Sequence, residues 1–199
     1  MVAPPGAGKG TQAVRLAAHY GIAHLASGEL LRHEVASGTD IGRRASEYVT
    51  RGDLVPDEIV MQMVITPVLE AAARGGFVLD GFPRNRHQAE EAYRLALQIG
   101  GIELEAVIHL DVSRDELRRR MLARAHIEGR TDDSPATIEH RLDVFDAETF
   151  PLLAFYRERG LVLDIDGEQP VDAVFADIVS AIDAVRAARR QPEGRTSAT

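Results

Sequence analysis

The chain of 199 residues contains no cysteine. Disulfides, thiolate nucleophiles and cysteine-held zinc are therefore excluded, and any metal must be held through oxygen or imidazole. The seven histidines are scattered with no tight pair at ligand spacing, so each reads as an ordinary surface or packing residue. Positive charge is also in short supply. Lys and Arg number 23 against 31 Asp and Glu, a formal net charge of −8 that argues against a nucleic-acid binder but leaves room for a local basic pocket. No apolar run approaches the roughly 20 residues needed to cross a bilayer, and the first residues lack the basic and hydrophobic regions of a signal peptide. The expectation is a cytoplasmic protein with no membrane partner.

What the chain does have is an ordinary globular composition, 45% hydrophobic and 27% charged, in a length suited to one core. Residues 1–189 read as a single domain. Residues 190–199 carry no apolar side chain large enough to anchor them and read as a disordered tail. Short runs rich in Val, Ile and Leu at Phe77 to Leu79, Ala106 to Leu110 and Leu161 to Ile165 predict buried strands, and Ile22 to Leu25, after a helix stop at Gly21, predicts a fourth. Helical spacing or composition marks Thr11 to Tyr20, Gly28 to Ser37, Asp57 to Ala73, Arg86 to Ile99, Ser113 to Ala125, Ser134 to Arg157 and Val171 to Ala188. Ser113 with Glu116 has the pattern of a capping box, and Ser134 followed by Pro135 suits a helix entry. Strands alternating with helices predict an α/β fold, a parallel sheet with helices on both faces and ligands beyond the carboxyl ends of the strands.

The chemistry is carried first by Pro4-Pro5-Gly6-Ala7-Gly8-Lys9-Gly10-Thr11, a glycine-rich turn feeding a helix. Small residues let successive backbone N–H groups face the same phosphate oxygens. The helix N-terminus adds partial positive charge, Lys9 can reach the β and γ phosphates, and the Thr11 hydroxyl can support the site. Ala3 stands where the general phosphate-loop pattern has glycine, and Gly10 directly follows the lysine.

Taken with Ala26 to Arg32, Gly52 to Val55, the run Leu79-Asp80-Gly81-Phe82-Pro83-Arg84, and Gly129-Arg130-Thr131-Asp132-Asp133 followed by Arg141, this loop resembles the adenylate kinases over about residues 3–185. The resemblance implies a P-loop sheet of order 2-3-1-4-5, a monophosphate-binding flap at about 26–55 and a short lid at about 124–132 without a zinc module. Closure of both would gate turnover. It implies a monomeric enzyme that reversibly moves a phosphoryl group from ATP to AMP to give two ADP, with Mg²⁺, and with no partner beyond these nucleotides. Such transfer needs positive charge, in-line placement and exclusion of water, which planar arginines supply better than lysines. By the same resemblance Arg32 and Arg84 hold the monophosphate, Arg124 contacts the ATP phosphates, and Arg130 and Arg141 clamp the transferring group and the acceptor phosphate of AMP. Asp80 would hold the water shell of Mg²⁺, and Asp132 and Asp133 would lie beside the reacting phosphates. Gly6 to Thr11 and Gln169 would bind ATP; Ser27, the backbone of Asp53, Leu54 and Val55, the turn Gly81 to Arg84, and Gln88 would bind AMP. Arg118, Arg119 and Arg120 read instead as a solvated helix face.

Acceptor identity rests on few residues. Ser27 and Gln88 favour AMP, whereas Asn85 is the residue associated with the pyrimidine enzymes, so a UMP/CMP-type kinase is the alternative. One feature departs from the family. Only Met1, Val2 and Ala3 precede Pro4, whereas a buried central strand takes about five residues. A truncated first strand is expected to strip partners from its neighbours and destabilise the fold severely. This leaves two readings, a start codon upstream of Met1 or a degenerate, non-catalytic nucleotide-binding paralogue, and the intact set of arginines favours the first.

Overall fold

The computed structural model describes residues 1–128 and 134–190. The four apolar runs form strands within one residue of their predicted bounds, namely β1 (Ala23–Ala26), β2 (Phe77–Asp80), β3 (Val107–Asp111) and β4 (Val162–Asp166). They pair in parallel as β1 with β2, Ala23 opposite Phe77, and β3 with β4, Val107 opposite Val162. The described strands thus make two two-stranded sheets rather than one ladder of five.

The slot of the truncated first strand is partly occupied. The Met1 amino nitrogen donates to Leu79 O at 2.6 Å, and Val2 N donates to Ile108 O at 2.9 Å, so these two residues run between β2 and β3. Val2 and Ala3 are 4% and 5% exposed, close to the values for the surrounding core. Two residues suffice for the rungs opposite Leu79 and Ile108 because Pro4, which has no N–H to leave unpaired, follows at once.

Helices α1 (Lys9–Tyr20), α2 (Ser27–Ala36), α4 (Asp57–Ala73), α5 (Arg86–Ile99), α6 (Arg114–Glu128) and α9 (Val171–Arg190) match predicted segments. Helix α3 (Asp40–Arg51) does not appear among the predicted segments, since its sequence is polar and carries Gly42 in the first turn. Packing explains the glycine. A Cβ on Gly42 would lie 2.0 Å from Glu34 O of α2, so the two helices approach as closely as backbone allows, while Thr39 caps α3 by accepting from Gly42 N at 3.0 Å. The predicted continuous helix from Ser134 to Arg157 is instead α7 (Pro135–Val144), a π-helical turn (Phe145–Thr149) and α8 (Phe150–Arg157). Pro151 has no N–H for an i→i−4 bond, and just before it Phe150 N reaches back to Phe145 O, the π register. The capping box is also modified: Ser113 N donates to Glu168 at 2.8 Å, and Glu116 turns to Arg119 and Arg120.

Three apolar clusters hold these elements. One surrounds Leu16, Leu110, Met121, Ile138 and Ile178 between the helices and β3. A second joins Val2 and Val107 to Leu152, Leu153 and Tyr156 of α8. The third joins Ala45 of α3 and Val55 to Ile59, Val60, Met63 and Phe82, seating the flap segment on α4. None of the described helices is long and apolar enough to cross a membrane.

Candidate active site

The loop Gly6 to Gly10 and the turn Gly81 to Arg84 meet beyond the carboxyl end of β2, where ligands are expected in a parallel sheet. Gly6 and Gly8 hold positive φ, 85° and 90°, and a Cβ on Gly6 would stand 2.8 Å from Met121 Cγ and 3.1 Å from Leu117 O. The loop therefore lies directly on α6, and its geometry is open only to glycine there. Ala7 is buried beneath it, and Thr11 sits exposed in the first turn of α1.

Lys9 Nζ folds back to donate to Pro4 O at 3.0 Å. Its pKa is lowered to about 8, chiefly by burial, with Arg84, Arg141 and Arg124 adding repulsion and Asp80 opposing the shift. Burial likewise lowers that of Arg84, reinforced by Arg141 and Arg32. Lys9 thus feels Arg84, Arg124 and Arg141, and Arg84 feels Arg32 and Arg141, with the Asp80 carboxylate acting on both, in a chain whose net charge is −8. Asp80 ends β2, and its Oδ1 is buried without a hydrogen-bond partner. A Cβ built on Gly10 would lie 3.8 Å from Asp80 Oδ2, which places the carboxylate against the phosphate loop.

The turn after β2 is tightly held. Gly81 has φ 77°, and its carbonyl accepts from Ser27 Oγ and from Arg84 Nε, each at 2.7 Å. The peptide between Phe82 and Pro83 is cis, and Phe82 is buried. Arg84 N donates to Gln88 Oε1 at 2.8 Å, and Arg84 O accepts from Thr149 Oγ1 at 2.7 Å. The π-helical turn thereby reaches the site through Thr149, a contact that no pattern in the sequence marks. Arg32 NH1 lies close enough to Gly28 that a Cβ there would be 3.4 Å away, with Arg84 NH2 at 4.0 Å from the same point.

Around the flap, Val55 is buried in the α4 cluster beside half-buried Leu54. Asp53 pairs with His140 Nε2 at 2.6 Å and Arg51 Nε at 3.0 Å. His140 immediately precedes Arg141 on α7, so a histidine the sequence left unassigned ties the flap to the helix carrying that arginine. Gln88, expected at the base edge, is 1% exposed and has both ends engaged, Oε1 by Arg84 N and Nε2 by Asp57 Oδ1 at 2.7 Å. Asn85 caps α5 by accepting from Gln88 N and donates to the same Asp57 oxygen at 2.9 Å. Gln169, expected at the ATP adenine, lies after β4 and donates to Asp177 at 2.9 Å. Arg120 meets the same loop at Gly167 O, 3.0 Å away, and pairs with Glu116, so it is more engaged than a solvated face implies. The expected residues Arg130, Asp132 and Asp133, like residues 191–199 of the tail, fall outside the described residues.

The family model for adenylate kinase matches residues 1–161. Among curated proteins, the adenylate kinase of Thermobifida fusca is 44% identical over 182 residues, covering 92% of this chain and 96% of its own. That of Micrococcus luteus is 44% identical over 188 residues, with 94% and 91% covered, and that of Xanthomonas campestris 43% over 182, with 92% and 97%. With the phosphate loop, the Asp80 to Arg84 turn and the converging arginines in one place, these matches show that the chain belongs to the adenylate kinase family.

Proposed function

We propose that the protein passes the terminal phosphoryl group of ATP to AMP, reversibly giving two ADP. The observation that carries the reading is the convergence of the phosphate loop with Lys9, the Asp80 carboxylate and the turn bearing Arg84, where burial and neighbouring arginines lower the pKa of both cations and a nucleotide phosphate would favour their charged forms. In this reading the amides of Gly6 to Thr11 and Lys9 hold the ATP phosphates with Arg124, Gln169 lies at the ATP base, and Arg32 and Arg84 hold the acceptor phosphate. Arg141 and Arg130 neutralise charge on the group in flight, with Asp132 and Asp133 beside it. Ser27, the backbone of Asp53 to Val55, and Gln88 surround the AMP base. Residues 26–55 act as the flap and 124–132 as the lid, excluding water so that the AMP oxygen rather than water attacks in line.

The residues also fit Mg²⁺. Asp80 Oδ1 is a buried acceptor without a partner, which a metal-bound water would satisfy, and no group of three His, Asp or Glu among the described residues could ligate a cation directly. When bound with ATP, the ion supplies neutralisation of the β and γ oxygens. A cytoplasmic monomer is part of the same reading, supported by the resemblance to the family. The test is Arg84→Ala in an assay of ADP formed from ATP and AMP. Loss of at least about 100-fold in kcat/KM, the scale of a charged buried contact to a reacting group, is expected; retention within threefold would remove Arg84 from the acceptor site and with it the proposed arrangement.

A further inference from the structure

Gln88 sits between two partners of opposite character. Its Oε1 faces the backbone N–H of Arg84, which can only donate, and its Nε2 faces the Asp57 carboxylate, which can only accept. A flipped amide would put N–H against N–H and oxygen against carboxylate, both repulsive, in a side chain only 1% exposed. Asp57 is itself held in place: the same Oδ1 accepts from Asn85 Nδ2, and Asn85 is fixed as the cap of α5 by its other atom. Each amide in this set has one orientation that satisfies every neighbour. One N–H and one lone pair of Gln88 remain for a ligand, and which is which is decided by the Arg84 N–H and the Asp57 carboxylate together.

We propose that Asp57 is a specificity-determining positioning residue that fixes the polarity of Gln88 and so makes the site read AMP rather than IMP. The inference rests on the reading that Gln88 meets the acceptor base. The two nucleotides have nearly the same shape and opposite edges. AMP presents an amino donor at C6 beside an acceptor at N1, while IMP presents a carbonyl acceptor at C6 beside a donor at N1. A glutamine free to rotate serves either edge; a glutamine locked by a carboxylate serves one and is left with two unmatched contacts by the other, and buried polar mismatches of this kind are what give binding sites their large discrimination. Asp57 also lines a groove of about 380 Å³ between α4 and α5, with Met61, Ile65 and Leu95, so water can enter if the carboxylate is removed. Water both donates and accepts, and it would release the lock.

The experiment measures kcat/KM for AMP and for IMP at saturating ATP in the full chain and three variants, Asp57→Ala, Asp57→Asn and Gln88→Ala, with melting temperatures alongside. Asp57→Ala is expected to lower the AMP-to-IMP ratio at least tenfold, mainly through gained use of IMP. Asp57→Asn, whose carbonyl can still accept from Gln88, is expected to return the ratio to within about threefold. A merely structural role would lower both substrates together and leave the ratio unchanged. If Gln88→Ala collapses the ratio and Asp57→Ala leaves it within twofold, the locking role is wrong while base reading by Gln88 stands. If Gln88→Ala leaves the ratio unchanged, base reading fails and the lock with it. Should Asp57→Ala not fold, Asp57→Ser, whose hydroxyl both donates and accepts, is expected to lower the ratio equally, and its failure to do so overturns the proposal.

Discussion

Lys9 is held where the ligand-free protein gains nothing from its charge, and replacing it with methionine should therefore stabilise the fold while abolishing turnover. Its pKa falls from 10.5 to about 8. The folded chain then binds fewer protons than the unfolded chain between pH 8 and 10.5, so stability rises with pH across that window. Below pH 8 the full penalty applies, at most about 3 kcal/mol since part of Lys9 keeps contact with water. Methionine matches the length of the stem and carries no charge, but it gives up the bond to Pro4 O, worth about 1 kcal/mol. The net gain at pH 7 is about 2 kcal/mol, or about 4–8 °C for a chain of this size. The assay is thermal unfolding of both proteins without nucleotide at pH 7 and pH 10. The advantage of Lys9→Met should shrink toward zero or reverse at pH 10, where lysine in the fold is already neutral. A variant less stable than the parent at pH 7, or an advantage independent of pH, would refute the reasoning.

Other consequences can be checked separately. Gly81→Ala forces φ 77° on a residue with a Cβ that would sit 2.7 Å from Ser27 Oγ; about 1–3 kcal/mol of stability should be lost, with the KM for AMP rising more than that for ATP, and an unchanged melting temperature would count against the turn geometry. Arg84→Lys keeps a positive charge but loses the planar fork and the bond to Gly81 O, so kcat/KM should fall by about 10- to 100-fold, and near-parental activity would show that charge alone suffices. His140→Ala removes the partner of Asp53, an exposed pair worth about 0.2–1 kcal/mol, so the KM for AMP should rise by up to about fivefold and by less in high salt. The His140 hydrogen bond holds the Asp53 carboxyl below its ordinary value of 3.8, so its contribution is present above that pH and lost as the pH falls through the lowered value. A shift in the KM for ATP instead would place the pair outside the AMP flap.

The parts of this fold that local patterns encode were readable. Apolar runs gave all four described strands, and the glycine stop at Gly21 and the cap at Ser134 gave an end of α1 and of α7. The phosphate loop was legible because glycine spacing before a lysine has a specific physical use. What escaped depends on contacts between distant segments. Helix α3 is polar and contains Gly42, and only the backbone of α2 explains that glycine. The π-helical turn is foreshadowed by Pro151, yet its use, delivering Thr149 to Arg84 O, joins residues 65 apart. The pairing of His140 with Asp53 spans 87 positions, and that of Gln88 with Asp57 spans 31. Both link segments that the sequence places in separate elements. The arginines were found through resemblance to the family, since composition alone does not separate half-buried Arg84 from Arg119 on a solvated face. The first strand is short as its length implies: Met1 and Val2 make one backbone hydrogen bond each, to Leu79 and Ile108, and form an isolated bridge rather than a full strand.

The central proposal is that this site moves a phosphoryl group onto AMP. The most direct test follows ATP, AMP and ADP together when the purified chain is mixed with Mg²⁺ and ATP, with AMP, CMP or UMP as the acceptor. Two ADP formed for each ATP consumed, with kcat/KM for AMP at least about 100-fold above either pyrimidine nucleotide, is the predicted result. Faster turnover with CMP or UMP, or binding of nucleotides with no ADP formed, would contradict it.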